Sequence, residues 1–131
     1  MMVHVVEDDE HLRGSLTRML SAAGYAVRAW DAVDVALLQA LAGAGLVEVV
    51  LADGLRTATG ADLLDALLAM GTVSAVVRYG SGAEGPPHDL EVFRLRRITD
   101  SGEVLRAVAR AVAAAEGINA GLAAAGLLRD A

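Results

Sequence analysis

Apolar residues along the chain follow two rhythms. Short valine-rich runs at residues 3–6, 25–29, 47–52, 73–78 and 91–95 read as five strands, and the third and fourth are almost continuously apolar, as expected of strands covered on both faces of a parallel sheet. The segments between them keep a helical period. Leu12, Leu16, Met19, Leu20 and Ala23 predict a first helix ending at Gly24. A second is expected to start at Asp31 as N-cap and to bury Val33, Leu37, Ala40 and Leu41 before Gly43. A third is expected over about residues 61–70 on Leu63, Leu64, Leu67 and Leu68, and a last long one over about residues 101–116 on Val104, Leu105, Val108 and Val112. Strands alternating with helices predict an α/β fold built of βα units around a parallel sheet.

One connection breaks this pattern. Residues 80–90 include Gly80, Gly82, Gly85, Pro86 and Pro87, a composition that cannot sustain a useful helix, so the fourth crossover helix is expected to be missing or vestigial. Its loss should bare an apolar patch on one sheet face. Beyond Glu116, Gly117 gives the chain freedom to turn, and Ile118, Leu122, Ala125 and Leu128 form a stripe of helical period. The expectation is one domain over residues 1–116 and a helical extension over residues 117–131. The extension would cover the patch on its own subunit or, by exchange, on a partner's, making a homodimer; the competing reading is a frayed tail or a linker into a further domain.

Composition narrows the class. At 131 residues and 55% hydrophobic the chain is one globular domain rather than a disordered segment. Its longest uncharged run, residues 35–47, falls short of the roughly 18 residues needed to span a bilayer. No basic stretch followed by an apolar one marks a secretory signal and there is no cysteine, so a cytoplasmic protein without thiol chemistry is expected. Seventeen acids against eleven bases give a net charge of -6, which argues against nucleic acid as a partner of this domain. All eleven bases are arginine.

Parallel sheets of this kind bind ligands beyond the carboxyl ends of their strands, and there the sequence is acidic. Glu7, Asp8, Asp9 and Glu10 follow the first strand and Asp53 follows the third. Right-handed crossovers allow those two strands to be neighbours, which brings Glu7 or Asp8 near Asp53. Carboxylates held together repel one another, a cost met by a raised pKa or a divalent cation, and hard oxygen ligands suit Mg²⁺. The competing reading is structural: acids at a helix start are favoured by its macrodipole alone, and Asp53-Gly54 makes an ordinary turn.

The element order, with Val-Val-Glu7-Asp8-Asp9 and Val-Val-Leu-Ala-Asp53, resembles the receiver domain of two-component response regulators over about residues 3–116. The resemblance implies a flavodoxin-like, doubly wound five-stranded sheet of order 2-1-3-4-5. It implies that Glu7 and Asp8, with Asp53, hold Mg²⁺, and that Asp53 accepts a phosphoryl group from a histidine kinase or phosphotransfer protein. The sequence also departs from the family pattern. Where receivers carry Thr or Ser at the end of the fourth strand, Arg78 and Tyr79 stand; where they carry Lys after the fifth, the nearest cations are Arg96 and Arg97, planar forks rather than point charges. Gly60 lies seven residues after Asp53 instead of eight. The Gly/Pro loop resembles an alphaproteobacterial subgroup of receivers, with Tyr79-Gly80 on the Thr-Gly of its signature.

Three functional readings follow. The first is a phosphorelay receiver with a degenerate switch, which turns over no separate substrate. The second is a pseudo-receiver that dimerises or docks a kinase without phosphorylation. The third, a Mg²⁺-dependent phosphatase, is the weakest, because Leu55 occupies the position of the required second acid. His4 alternates inside the first strand as a packed or surface histidine, His11 is expected to be a solvated residue in the first helix's opening turn that could touch a partner, His88 has no partner at metal-ligand spacing, and Trp30 is expected to anchor the second helix on the sheet.

Overall fold

The computed structural model describes residues 1–53, 66, 69–70, 74–79, 92–94 and 100–126, with Asp53 and residues 92–94 through their backbone. Five strands, β1 (Met2–Val6), β2 (Ala26–Trp30), β3 (Glu48–Asp53), β4 (Ser74–Tyr79) and β5 (Val92–Arg94), form one parallel sheet of order β2-β1-β3-β4-β5. The expected α/β fold and strand order are both present. Each strand lies within about a residue or two of its expected bounds, and Asp53 and Tyr79 prove to be the last residues of their strands rather than the first beyond them.

Alternation of side chains divides the core into two layers. Val3, Val5, Val49, Leu51, Ala75, Val77 and Tyr79 face one side, where they meet Leu16 and Leu20 of α1 (Glu10–Ala22) and Val104, Ala107, Val108, Ala111 and Ala115 of the C-terminal helix α3 (Ser101–Ala124). Val6, Val50, Ala52 and Val76 face the other, against Val33 and against Leu37 and Leu41 of α2 (Val35–Gly43). Every residue of β4 is buried, as its apolar run required. Among the described residues, no helix is long and apolar enough to cross a membrane.

The helix ends follow from capping chemistry. Asp9 caps α1 by accepting from the Leu12 N–H at 3.0 Å. At the other end Tyr25 N–H donates to Leu20 O and Gly24 N–H to Ser21 O, a Schellman closure that needs the positive φ of Gly24, +97°. The second helix starts later than expected. Asp34, not Asp31, is its N-cap, because the extended backbone at Asp34 aims its carboxylate at the Leu37 N–H, 3.0 Å away.

The C-terminal segment departs most from expectation. Gly117 does not turn the chain: α3 runs unbroken through it to Ala124 and closes at Ala125, with Gly126 at φ +73°. Ile118 and Leu122 pack onto the layer beneath α1 and α3, and not over the opposite face where a fourth helix would lie. Asn119 fixes this arrangement. Its Oδ1 accepts from Val47 N–H at 2.7 Å and its Nδ2 donates to Val47 O at 2.9 Å, standing in for a strand partner at the start of β3. Two members of the stripe meant for exchange between copies, Ile118 and Leu122, are therefore engaged with their own core, while Ala125 is exposed. Leu128 and the Gly/Pro connection with its expected vestigial helix lie outside the described residues, as does most of the expected third helix. Within that helix's span, Ala66 and Ala69 are helical and Met70 N–H donates to Ala66 O.

Since a Cβ at Gly117 meets no atom within 4 Å and its φ is not positive, Gly117→Ala should stabilise the protein by about 0.5–1 kcal/mol in urea denaturation. A hinge at that position would instead make the substitution neutral or costly. Asn119→Ala, which strands both Val47 backbone groups, should destabilise by about 1–3 kcal/mol in the same measurement.

Candidate functional site

The parallel register sets the candidate residues in a row. Val6 pairs with Ala52, so Glu7, one residue on, stands at the level of Asp53, and Asp53 pairs with Tyr79 on β4. Neighbouring parallel strands lie about 4.7–4.9 Å apart, which makes the ends of β1, β3 and β4 one short platform. Glu7 extends the ladder by donating its N–H to Trp30 O at 3.0 Å, while Arg13 Nη1 donates to Glu7 O at 2.8 Å. The first and third strands are thus neighbours, as the sequence led us to expect.

The acidic run separates into distinct roles. Glu7 is buried, Asp8 is exposed, Asp9 is spent as the α1 cap and Glu10 stands in the helix's first turn. The Leu12 N–H holds the Asp9 carboxyl below its usual range, aided by the His11 N–H and by the positive charges of His11 and Arg13 against the opposing effect of desolvation. The macrodipole and capping reading therefore accounts for Asp9 and Glu10, leaving Glu7 and Asp8 for the strand-end platform. Among the described residues, no group of three His, Asp or Glu side chains is placed to hold a metal ion, and the Asp53 side chain lies outside that set.

The two candidates on β4 point to opposite layers. Tyr79 is buried among the α1 and α3 residues, and its hydroxyl donates across β3 to Val6 O at a long 3.4 Å. Arg78 is also buried, level with Ala52 on β3 and with Arg94, the last residue of β5. Arg96 and Arg97 lie outside the described residues.

Solved structures share this architecture. The N-terminal domain of a response regulator/sensory box/GGDEF three-domain protein from Carboxydothermus hydrogenoformans superposes with a TM-score of 0.65 at 16% identity, over 89% of this chain and 98% of that one. The chain has the fold of a response-regulator receiver domain. A CheY-like receiver domain protein from Methanospirillum hungatei gives a TM-score of 0.57 at 22% identity, covering 80% of this chain and 88% of its own. The response regulator StyR gives 0.59 at 18% identity, over 95% of this chain and 63% of StyR. No protein-family model matches the sequence, and no curated protein matches it.

A second polar feature, on the α2 side of this receiver fold, was underrated in the sequence. His4 and Glu48 are buried side by side, His4 Nε2 lying 3.0 Å from Glu48 Oε1, while the second oxygen of Glu48 accepts from Met2 N–H at 2.8 Å. Trp30 Nε1 donates to His4 Nδ1 at 3.0 Å, and the Arg28 guanidinium lies 4.2 Å from the centre of the Trp30 ring. A hint was present in the sequence: His4 and Glu48 are the polar members of otherwise apolar strands, although only the β1–β3 pairing shows that they meet. Trp30 does pack against the α2 layer, but from the end of β2 rather than the start of the helix.

Burial raises the Glu48 pKa, but the hydrogen bonds from His4 and Met2 outweigh it and leave the carboxyl below its ordinary value of 4.5. A depressed carboxylate contributes stability that is complete above the unfolded-state value and is lost as pH falls through the folded one. Glu48→Gln, whose amide oxygen replaces only one of two acceptors, should cost about 1–3 kcal/mol at pH 7 in urea denaturation. The difference from wild type should shrink on acidification below the ordinary carboxylate range.

Proposed function

We propose that this chain is a phosphorelay receiver in which Asp53 takes a phosphoryl group from a phosphohistidine on a histidine kinase or phosphotransfer protein. The reading rests above all on the pairing of β1 with β3, which sets Glu7 and Asp53 at adjacent strand ends, with Asp8 next in the chain. An Asp53 carboxylate oxygen would attack phosphorus, the bond from phosphorus to the donor imidazole nitrogen would break with its electron pair going to that nitrogen, and the imidazole would be left neutral by taking up a proton from solvent. Three carboxylates are a donor set that suits Mg²⁺, with Glu7, Asp8 and Asp53 as its holders. Bound there, the ion would neutralise charge on the phosphoryl oxygens. The domain assists its own modification and turns over no separate substrate. It works in the cytoplasm.

The response to phosphorylation must differ from the family's usual one. The hydroxyl at the end of β4 belongs to Tyr79, already directed at Val6 O within the core, and no lysine exists to supply a compact cation. The same observation supports the alternative, a pseudo-receiver that docks a kinase without accepting phosphate, since a tyrosine packed in the core is poorly placed to move.

Incubation with Mg²⁺ and acetyl phosphate, followed by intact mass measurement, separates the two. A receiver should gain one phosphoryl group, labile to base and absent from Asp53→Asn; no adduct with acetyl phosphate or any kinase supports the pseudo-receiver. Millimolar Mg²⁺ should also raise the melting temperature of the wild type more than that of Asp53→Asn. Equal curves with and without Mg²⁺ would leave the acids with only their structural role.

A further inference from the structure

The polar row beneath α2 has a built-in polarity. An indole carries a donor and no acceptor, so the Trp30 contact requires a lone pair on His4 Nδ1. The proton of neutral His4 then sits on Nε2 and is donated to Glu48 Oε1. Glu48 is in turn held through its other oxygen by Met2 N–H. The row crosses three strands, β2 to β1 to β3, and each of these polar atoms has a partner that matches it.

A second proton on His4 would change this pattern on one side only. It must go to Nδ1, turning that atom into a donor facing the indole N–H, and two donors cannot share a hydrogen bond. On the other side the imidazolium would bind the Glu48 carboxylate more strongly. The charged groups around His4 set the balance. Glu48 faces it from β3, Arg28 stands opposite it in the β2 register and stacks on Trp30, and the amino terminus lies near Glu48. From α2, Gln39, Ala40 and Gly43 line the open cleft beside His4, and Val35–Gly43 contains no charged residue.

We propose that His4 is a proton-operated latch: when neutral it holds Trp30 against the α2 layer, and when protonated it keeps Glu48 and releases Trp30. The released indole, with Arg28 beside it on the edge strand β2, would change the surface next to α2 while the sheet stays intact. The latch needs no phosphoryl group or metal ion at Asp53.

Trp30 is the sole tryptophan, so its fluorescence reads the latch directly. On the full chain, nitrogen chemical shifts of the imidazoles, Trp30 emission and far-ultraviolet circular dichroism are followed together as pH is lowered. Expected are an Nε2–H tautomer for neutral His4 and a red shift of Trp30 emission in step with His4 protonation, while the circular dichroism is unchanged. Glu48→Gln, which removes the carboxylate that favours the imidazolium, should move the emission step to lower pH. His4→Gln should abolish the step, which separates His4 from His11 and His88. An Nδ1–H tautomer, an emission indifferent to His4 protonation, a His4 that stays neutral until the protein unfolds, or a step that survives in His4→Gln would each overturn the latch. Should His4→Gln fail to fold, the tautomer and the coincidence of the two wild-type titrations still decide.

Discussion

Burial of the central strands on both faces is the constraint from which the rest of the structure follows. Apart from Met2, the described side chains of β1, β3 and β4 are buried on both faces of the sheet, so the backbone groups of these strands must be satisfied within the sheet and their side chains must be mostly apolar. Besides Ser74 and Arg78 of β4, the polar side chains of these strands among the described residues then fall in two places. They can stand at the strand ends, where Glu7, Asp53 and Tyr79 fall into register, or they can enter the interior as a set whose members bond one another. His4, Trp30 and Glu48 are such a set.

Much of this was legible in the sequence because burial leaves a strong mark on it. The runs at β3 and β4 contain so little polar surface that their placement as central strands needs no tertiary information, and the order of strands and helices then restricts the topology. The adjacency of Glu7 and Asp53 followed from that restriction. Local chemistry was harder to read. Asp31 and Asp34 are equally good caps by residue type, and the choice between them depends on where the chain leaves β2 and how Val33 reaches the core. Gly117 looked like a breaker because glycine weakens helices, yet the cost of about 1 kcal/mol is small beside the burial of Ile118 and Leu122 on either side of Asn119. Pairwise features across strands, such as His4 with Glu48, leave no signature at either position alone.

The acidic run after β1 shows how one composition serves several physical ends. Its first member is buried at the strand end, its second exposed, and its third and fourth complete a helix start. Counting charges would treat the four as equivalent. Backbone geometry separates them, because a residue that turns from strand to helix can offer its side chain either to the sheet end or to the free N–H groups of the first helical turn.

The amide bracket of Asn119 also bears on the order in which the molecule assembles. It joins positions 72 residues apart, so the loop it closes must be largely organised before either hydrogen bond can form. The last two turns of α3 can become helical early through local contacts, but they gain their place only once β3 is laid down. Interactions made that late are absent from the barrier to folding and present in the barrier to unfolding. If the bracket closes after the folding barrier, the C-terminal turns of α3 act as a kinetic clasp, one that governs how long the native sheet survives more than how quickly it forms.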